Sequence, residues 1–133
     1  MNQDSVIVFV CEHGAAKSIV AAAHFNHLAT EMGSHLRAVA RGTNPDMQLS
    51  PQAIKGLSED GLTPQESAPQ KLSPGDIESA QQIIAFCELP MGYQGQASIE
   101  RWEGVRPVSE DYKKARDVIT ERIRQMLKTS PLP

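Results

Sequence analysis

The sequence predicts an α/β domain of three layers, with helices on both faces of a four-stranded parallel sheet. Two observations carry this reading. Short segments with the character of buried strands recur at residues 6–10, 36–40 and 82–86, and stretches with helical spacing alternate with them. The length, 133 residues, suits a single core, so residues 1–133 are expected to form one domain.

Val6, Ile7, Val8, Phe9 and Val10 make the clearest strand, apolar and mostly β-branched, and Cys11 ends it. Glu12, His13, Gly14, Ala15 and Ala16 then form a loop with no bulky apolar residue, and a helix begins at Lys17 and Ser18. A loop of this kind between strand and helix can aim successive backbone N–H groups at an anion, with the helix N-terminus behind them. Lys17 stands beside the positive end of that helix, a poor place for a cation unless an anion lies between. The same donors would stabilise a thiolate at Cys11, placed to attack a bound oxyanion. The alternative for Cys11 is an inert buried thiol at a strand end.

Ser18 is placed to cap a helix running to about Gly33, with Ala22, Phe25, Ala29 and Met32 at helical spacing. His24 and His27 lie in it as surface or half-buried residues; too few matching ligands accompany them for a metal site. Residues 36–40 alternate into a second strand, and Gly42, Thr43, Asn44 and Pro45 make a turn. Ser50 and Pro51 open a short helix, a cap followed by proline, with Ala53, Ile54 and Leu57 facing inward and Gly61 closing it. The polar, proline-rich residues 62–71 read as a surface connection.

Ser73, Pro74, Gly75 and Asp76 open another short helix, and the strand at residues 82–86 follows, ending in Cys87. Residues 89–104 read as a loop and then an edge strand near 98–102. Tyr93 and Trp102 either rim a pocket or close the core. Ser109 is expected to cap the last helix, with Glu110 and Asp111 in its first turn. Tyr112, Ala115, Ile119, Ile123 and Met126 mark its buried side; Lys113, Lys114, Arg116, Arg122 and Arg124 mark a solvated one.

Composition narrows the partners. A formal net charge of −3, with acidic residues interleaved among the basic ones of the last helix, gives no nucleic-acid footprint. There is no long apolar run and no basic-then-apolar leader, so neither a membrane span nor a secretory signal is expected. Two widely separated cysteines suit a reducing compartment, by default the cytoplasm. Nothing in the chain calls for a cofactor.

Val8-Phe9-Val10-Cys11, with five residues between Cys11 and Lys17-Ser18, resembles the low-molecular-weight protein tyrosine phosphatases and the thioredoxin-coupled arsenate reductases that share their fold. The resemblance continues through Ala40-Arg41-Gly42-Thr43, Ser50-Pro51-Gln52-Ala53-Ile54, Ile83-Ile84-Ala85-Phe86-Cys87 and the stretch from Trp102 to Asp117. It implies a low-molecular-weight phosphatase-like fold with Cys11 as nucleophile. It also implies phosphate, arsenate or a phosphomonoester held by residues 12–18, and thioredoxin or another cellular thiol as a partner if the reaction is a reduction. In the reductases, a cysteine at the strand end matching Cys87 attacks the arsenylated loop cysteine.

The departures from the family pattern fall on the chemistry. Lys17 replaces an arginine, giving a point charge where a guanidinium would fork across two oxygens. His13 and Gly14 replace glycine and asparagine, and Arg106-Pro107 stands where the family has its Asp-Pro general acid. Arg106 either shares the anion with Lys17 or is a solvated loop residue. The reductases' third cysteine and the cysteine inside the loop are absent. Three readings follow: an arsenate reductase-like enzyme using Cys11, Lys17, Ser18 and Cys87; a phosphatase working through a phosphocysteine; or a non-catalytic oxyanion-binding module. Cys87 is either the resolving thiol or a packed core residue.

Overall fold

Apolar side chains fill both faces of the first strand. The computed structural model describes residues 6–89 and 98–129, and it places β1 (Val6–Cys11) at the centre of a sheet. The elements then run α1 (Lys17–Glu31), β2 (Arg37–Gly42), α2 (Pro51–Glu59), α3 (Pro74–Ser79), β3 (Ala80–Ala85), β4 (Ser98–Arg101) and α4 (Tyr112–Thr129). The sheet has four strands in the order β2-β1-β3-β4, and every pair is parallel.

The two-residue period of a strand divides β1 between two cores. Ile7 and Phe9 join Phe25 of α1, Leu57 of α2 and Ile119 and Ile123 of α4 on one face. Val8 and Val10 join Leu72, Ile77 of α3 and Ile83 of β3 on the other. This is the predicted three-layer architecture. The chain leaves β1 toward β2 on one side and returns to β3 on the other. The carboxyl end of β1 is therefore the point where the strand order switches, and a crevice opens there in sheets of this kind.

Several local expectations are corrected. Ser18 does not cap α1: the cap position is Ala16, which makes no side-chain cap bond, and Ser18 is fully buried with its hydroxyl against Cys11. His24 is buried rather than half-exposed. In α2, Ser50 caps the amide of Ala53 at 3.2 Å and Pro51 opens the helix, as expected. Its inner face, however, is Ala53, Gly56 and Leu57, while Ile54 is exposed. The reason is Tyr112, whose ring lies so close that a Cβ on Gly56 would sit 2.3 Å from it.

Ser109 does not cap α4 either. Residues 108–110 form a turn in which Glu110 and Asp111 donate to the carbonyl of Pro107, and Asp111 caps the helix by accepting from Lys114 N–H at 3.1 Å. Arg116 leaves the solvated face to bond Asp60, and Arg122 lies over the Trp102 ring, 5.7 Å from its centroid. The 62–71 connection is more than surface: Glu66 accepts from Ala40 N–H, and Arg41 bridges Glu66 and Asp76. Trp102 is a core residue, packed edge-on to Phe9 and Phe86. Tyr93 lies outside the described residues.

Candidate active site

The loop after β1 is fixed by its carbonyls. Those of Cys11, Glu12, His13 and Ala15 accept from the amides of Thr43 (3.2 Å), Asn44 (2.7 Å), Asp46 (3.0 Å) and Ser50 (2.9 Å). The whole turn is thus laced to the segment that follows β2. Gly14 makes this docking possible. Its φ of 62° is left-handed, and a Cβ there would sit 2.9 Å from the amide nitrogen of Gly42. Glycine tolerates left-handed backbone as asparagine does, so the loop keeps a turn at this position without the asparagine side chain that the family carries.

With the carbonyls spent outward, the donors remain. Among the described residues, the amides of residues 12–18 donate to no protein acceptor. They stand at the N-terminus of α1, where helix geometry leaves amides unpaired and the helix dipole favours negative charge. Such an arrangement can hold a tetrahedral anion without any change in backbone.

Cys11 ends β1 beneath these amides, 8% exposed, with Sγ 3.0 Å from Ser18 Oγ. A hydroxyl at this distance can donate to a sulfur anion. A cleft of about 790 Å³ opens over this floor. Its walls come from the loop itself (Glu12, His13, Ala15, Ala16, Lys17), from residues 46–51, and from residues 107–109 with Phe86 and Cys87. The amide of Phe86 donates to the carbonyl of Val10 at 2.8 Å, so the ends of β1 and β3 are tied just where the two cysteines follow. Both cysteines are free thiols. Burial pushes the Cys87 thiol up, the neighbouring Cys11 adds to this, and a hydrogen bond with Thr43 opposes it.

The structure brings Cys11, Glu12, His13, Ala15, Ala16, Lys17 and Cys87 onto one cleft, with Gly14 and Ser18 buried just behind it. Arg106 is not among the cleft-lining residues. Its guanidinium lies 3.8 Å from Glu110, with the side chain 58% exposed, although the next three residues form part of the wall. Sequence reasoning missed Asp46, whose carboxylate lies 3.2 Å from His13 Nδ1. It also missed the apolar wall of Met47, Leu49, Pro51 and Val108. The signal for both was available, since a loop that follows a strand beside the switch point overhangs the crevice. Among the described residues no group of three potential ligands could hold a metal, and no helix is long and apolar enough to cross a membrane.

Comparisons with known proteins bear on the fold and the family. The chain resembles the thioredoxin-dependent arsenate reductase of Corynebacterium glutamicum at 25% identity and a TM-score of 0.73, over 94% of this chain but 61% of that protein. It therefore spans less than two thirds of that reductase's length. An arsenate reductase from Archaeoglobus fulgidus superposes at a TM-score of 0.72 with 23% identity, over 92% of this chain and 98% of that one. A low molecular weight protein tyrosine phosphatase from T. tengcongensis gives 0.78 with 20% identity, over 93% and 98%. These last two show the shared fold alone. No curated protein matches the chain. Residues 6–97 match the model of the low molecular weight phosphotyrosine protein phosphatase family, and the chain belongs to that family.

Proposed function

We propose that this chain is a thiolate-based oxyanion enzyme of the arsenate reductase kind, with Cys11 as nucleophile and Cys87 as resolving thiol. The observation that carries the reading is the presence of two free cysteines on the wall of one cleft, at the ends of hydrogen-bonded strands. The amides of residues 12–18 and the Lys17 ammonium hold arsenate while the Cys11 thiolate attacks arsenic and a water leaves. Cys87 then attacks Cys11 Sγ. The S–As bond breaks with its electrons going to arsenic, arsenite departs, and a Cys11–Cys87 disulfide remains for an external dithiol such as thioredoxin to reduce. A cytoplasmic location, where reducing thiols are at hand, goes with this reading. Arg106 contributes to anion binding only by swinging away from Glu110.

The apolar wall favours a second reading. Bare arsenate has no use for Met47, Leu49, Pro51 and Val108, whereas an organic phosphomonoester would pack on them. In that reaction Cys11 forms a phosphocysteine that water hydrolyses, and Cys87 plays no part. One experiment separates the two. Arsenate-dependent thiol consumption that is abolished by Cys87→Ser supports the reductase. Phosphomonoester turnover that survives Cys87→Ser, without arsenate reduction, supports the phosphatase. Binding of phosphate with neither activity would leave an oxyanion-binding module.

A further inference from the structure

Both reactions expel an oxygen from the attacked centre, and that oxygen needs a proton. The position where the family carries an acid is Arg106, whose guanidinium does not give up a proton near neutral pH. The cleft does contain another proton-carrying group, His13, and the structure holds it at two points. Its carbonyl accepts from the Asp46 amide at 3.0 Å, and its Nδ1 lies 3.2 Å from Asp46 Oδ1. The second contact sets Nδ1 against a carboxylate, with Nε2 on the other side of the ring. Glu12 Oε1 lies 3.9 Å from Nε2, beyond hydrogen-bond range. His13 shares the cleft wall with Cys11 and Lys17.

We propose that His13 is the general acid of this site and that Asp46 positions it. The inference rests on the second reading of this site, in which Cys11 attacks the phosphorus of a phosphomonoester. With a phosphomonoester, Cys11 Sγ bonds to phosphorus and the P–O bond to the organic group breaks. The departing oxygen takes the proton of imidazolium Nε2, so an alcohol leaves and neutral imidazole remains. Water then attacks the phosphocysteine, giving its proton to Nε2, and the Sγ–P bond breaks to return the thiolate and release phosphate. Asp46 orients the ring, as a carboxylate behind a catalytic imidazole does. Glu12 and Asp46 face the imidazole, and Lys17 and the two thiols line the same cleft.

A leaving-group series tests this. Phenyl phosphate has a poor leaving group that needs protonation, whereas an activated nitrophenyl phosphate does not. His13→Gln should lower single-turnover release from phenyl phosphate by about 100-fold or more, the usual worth of a general acid. With the activated ester its loss should stay within about 5-fold. Asp46→Asn should reproduce the same asymmetry at about a tenth of the size, since Asp46 acts through His13. Equal losses on both esters would make His13 a structural residue and overturn the proposal. A wild-type protein that cleaves neither ester would overturn it too. Arsenate-driven formation of the Cys11–Cys87 disulfide, measured on the same sample, would then decide separately whether the oxyanion reading survives.

Discussion

Two polar clusters sit against the same core and differ in how their hydrogen bonds end. The cluster joining α1, the end of α2 and α4 is closed. Tyr112 Oη donates to Asp60 Oδ2 at 2.7 Å, Arg116 Nη1 donates to Asp60 Oδ1 at 2.9 Å, and His24 Nε2 lies 3.3 Å from both Tyr112 Oη and Asp60 Oδ2. In the loop after β1, the carbonyls of Cys11, Glu12, His13 and Ala15 are tied down while, among the described residues, the amides of residues 12–18 have no protein acceptor. Groups that satisfy one another hold the fold together, and donors left open at a rigid backbone turn await a ligand.

Breaking the loop should have the largest effect. Gly14→Val forces a β-branched residue into left-handed backbone and drives its Cβ to 2.9 Å from Gly42 N. We expect a loss of about 3 kcal/mol in a denaturant melt, together with loss of oxyanion binding. Gly33→Ala is the control: φ there is 74°, but nothing lies within 4 Å of the added Cβ. It should cost about 1 kcal/mol and leave binding intact.

Breaking the closed cluster comes next. Asp60→Ala leaves Tyr112 and Arg116 without their shared acceptor and should cost about 2 kcal/mol, with anion affinity unchanged. The pH response follows from the same contacts. Burial pushes the Asp60 carboxyl up, but Tyr112, Arg116 and His24 together pull it further down, below its ordinary 3.8. Burial holds His24 below its ordinary 6.5, with Asp60 opposing and Arg116 reinforcing. Both groups bind protons more readily when unfolded. Stability is therefore fully present above pH 6.5 and falls with acidification, first as the unfolded His24 protonates and last as pH passes through the folded Asp60 value. Thermal melts from pH 7 to 5 should show the fall, and His24→Gln should flatten its upper part.

What the sequence made legible follows the reach of each interaction. The strand ending at Cys11, the loop after it and the Ser50-Pro51 helix start depend on neighbours in sequence and could be read directly. Ser18 looks like a cap because it precedes an apolar helix, yet its hydroxyl meets the sulfur of Cys11 across the turn. Arg116 looks no different from Lys113 along α4, and only Asp60, 56 residues away, draws it inward. Ile54 is more apolar than Gly56, but the space beside Gly56 is what the Tyr112 ring needs. The loop after β2 could be expected over the crevice, but that Asp46 is its residue beside His13 depends on the carbonyl of His13 docking on its amide.

The smallest effect is expected at the rim. With its guanidinium near Glu110 and its side chain largely in solvent, Arg106 should contribute little. Arg106→Ala should weaken phosphate binding by about 2-fold in titration calorimetry, against about 10-fold or more for Lys17→Ala. A loss of similar size at both positions would show that Arg106 turns inward to share the anion.

The most direct test of the contrast between the open and closed clusters is an amide NMR titration of the intact chain with phosphate and with arsenate. Large, saturable shifts should appear at the amides of residues 12–18, with the amides of His24, Asp60, Tyr112 and Arg116 unmoved. Saturation at those four positions with none at residues 12–18, or no saturation anywhere, would contradict an oxyanion site on the loop after β1.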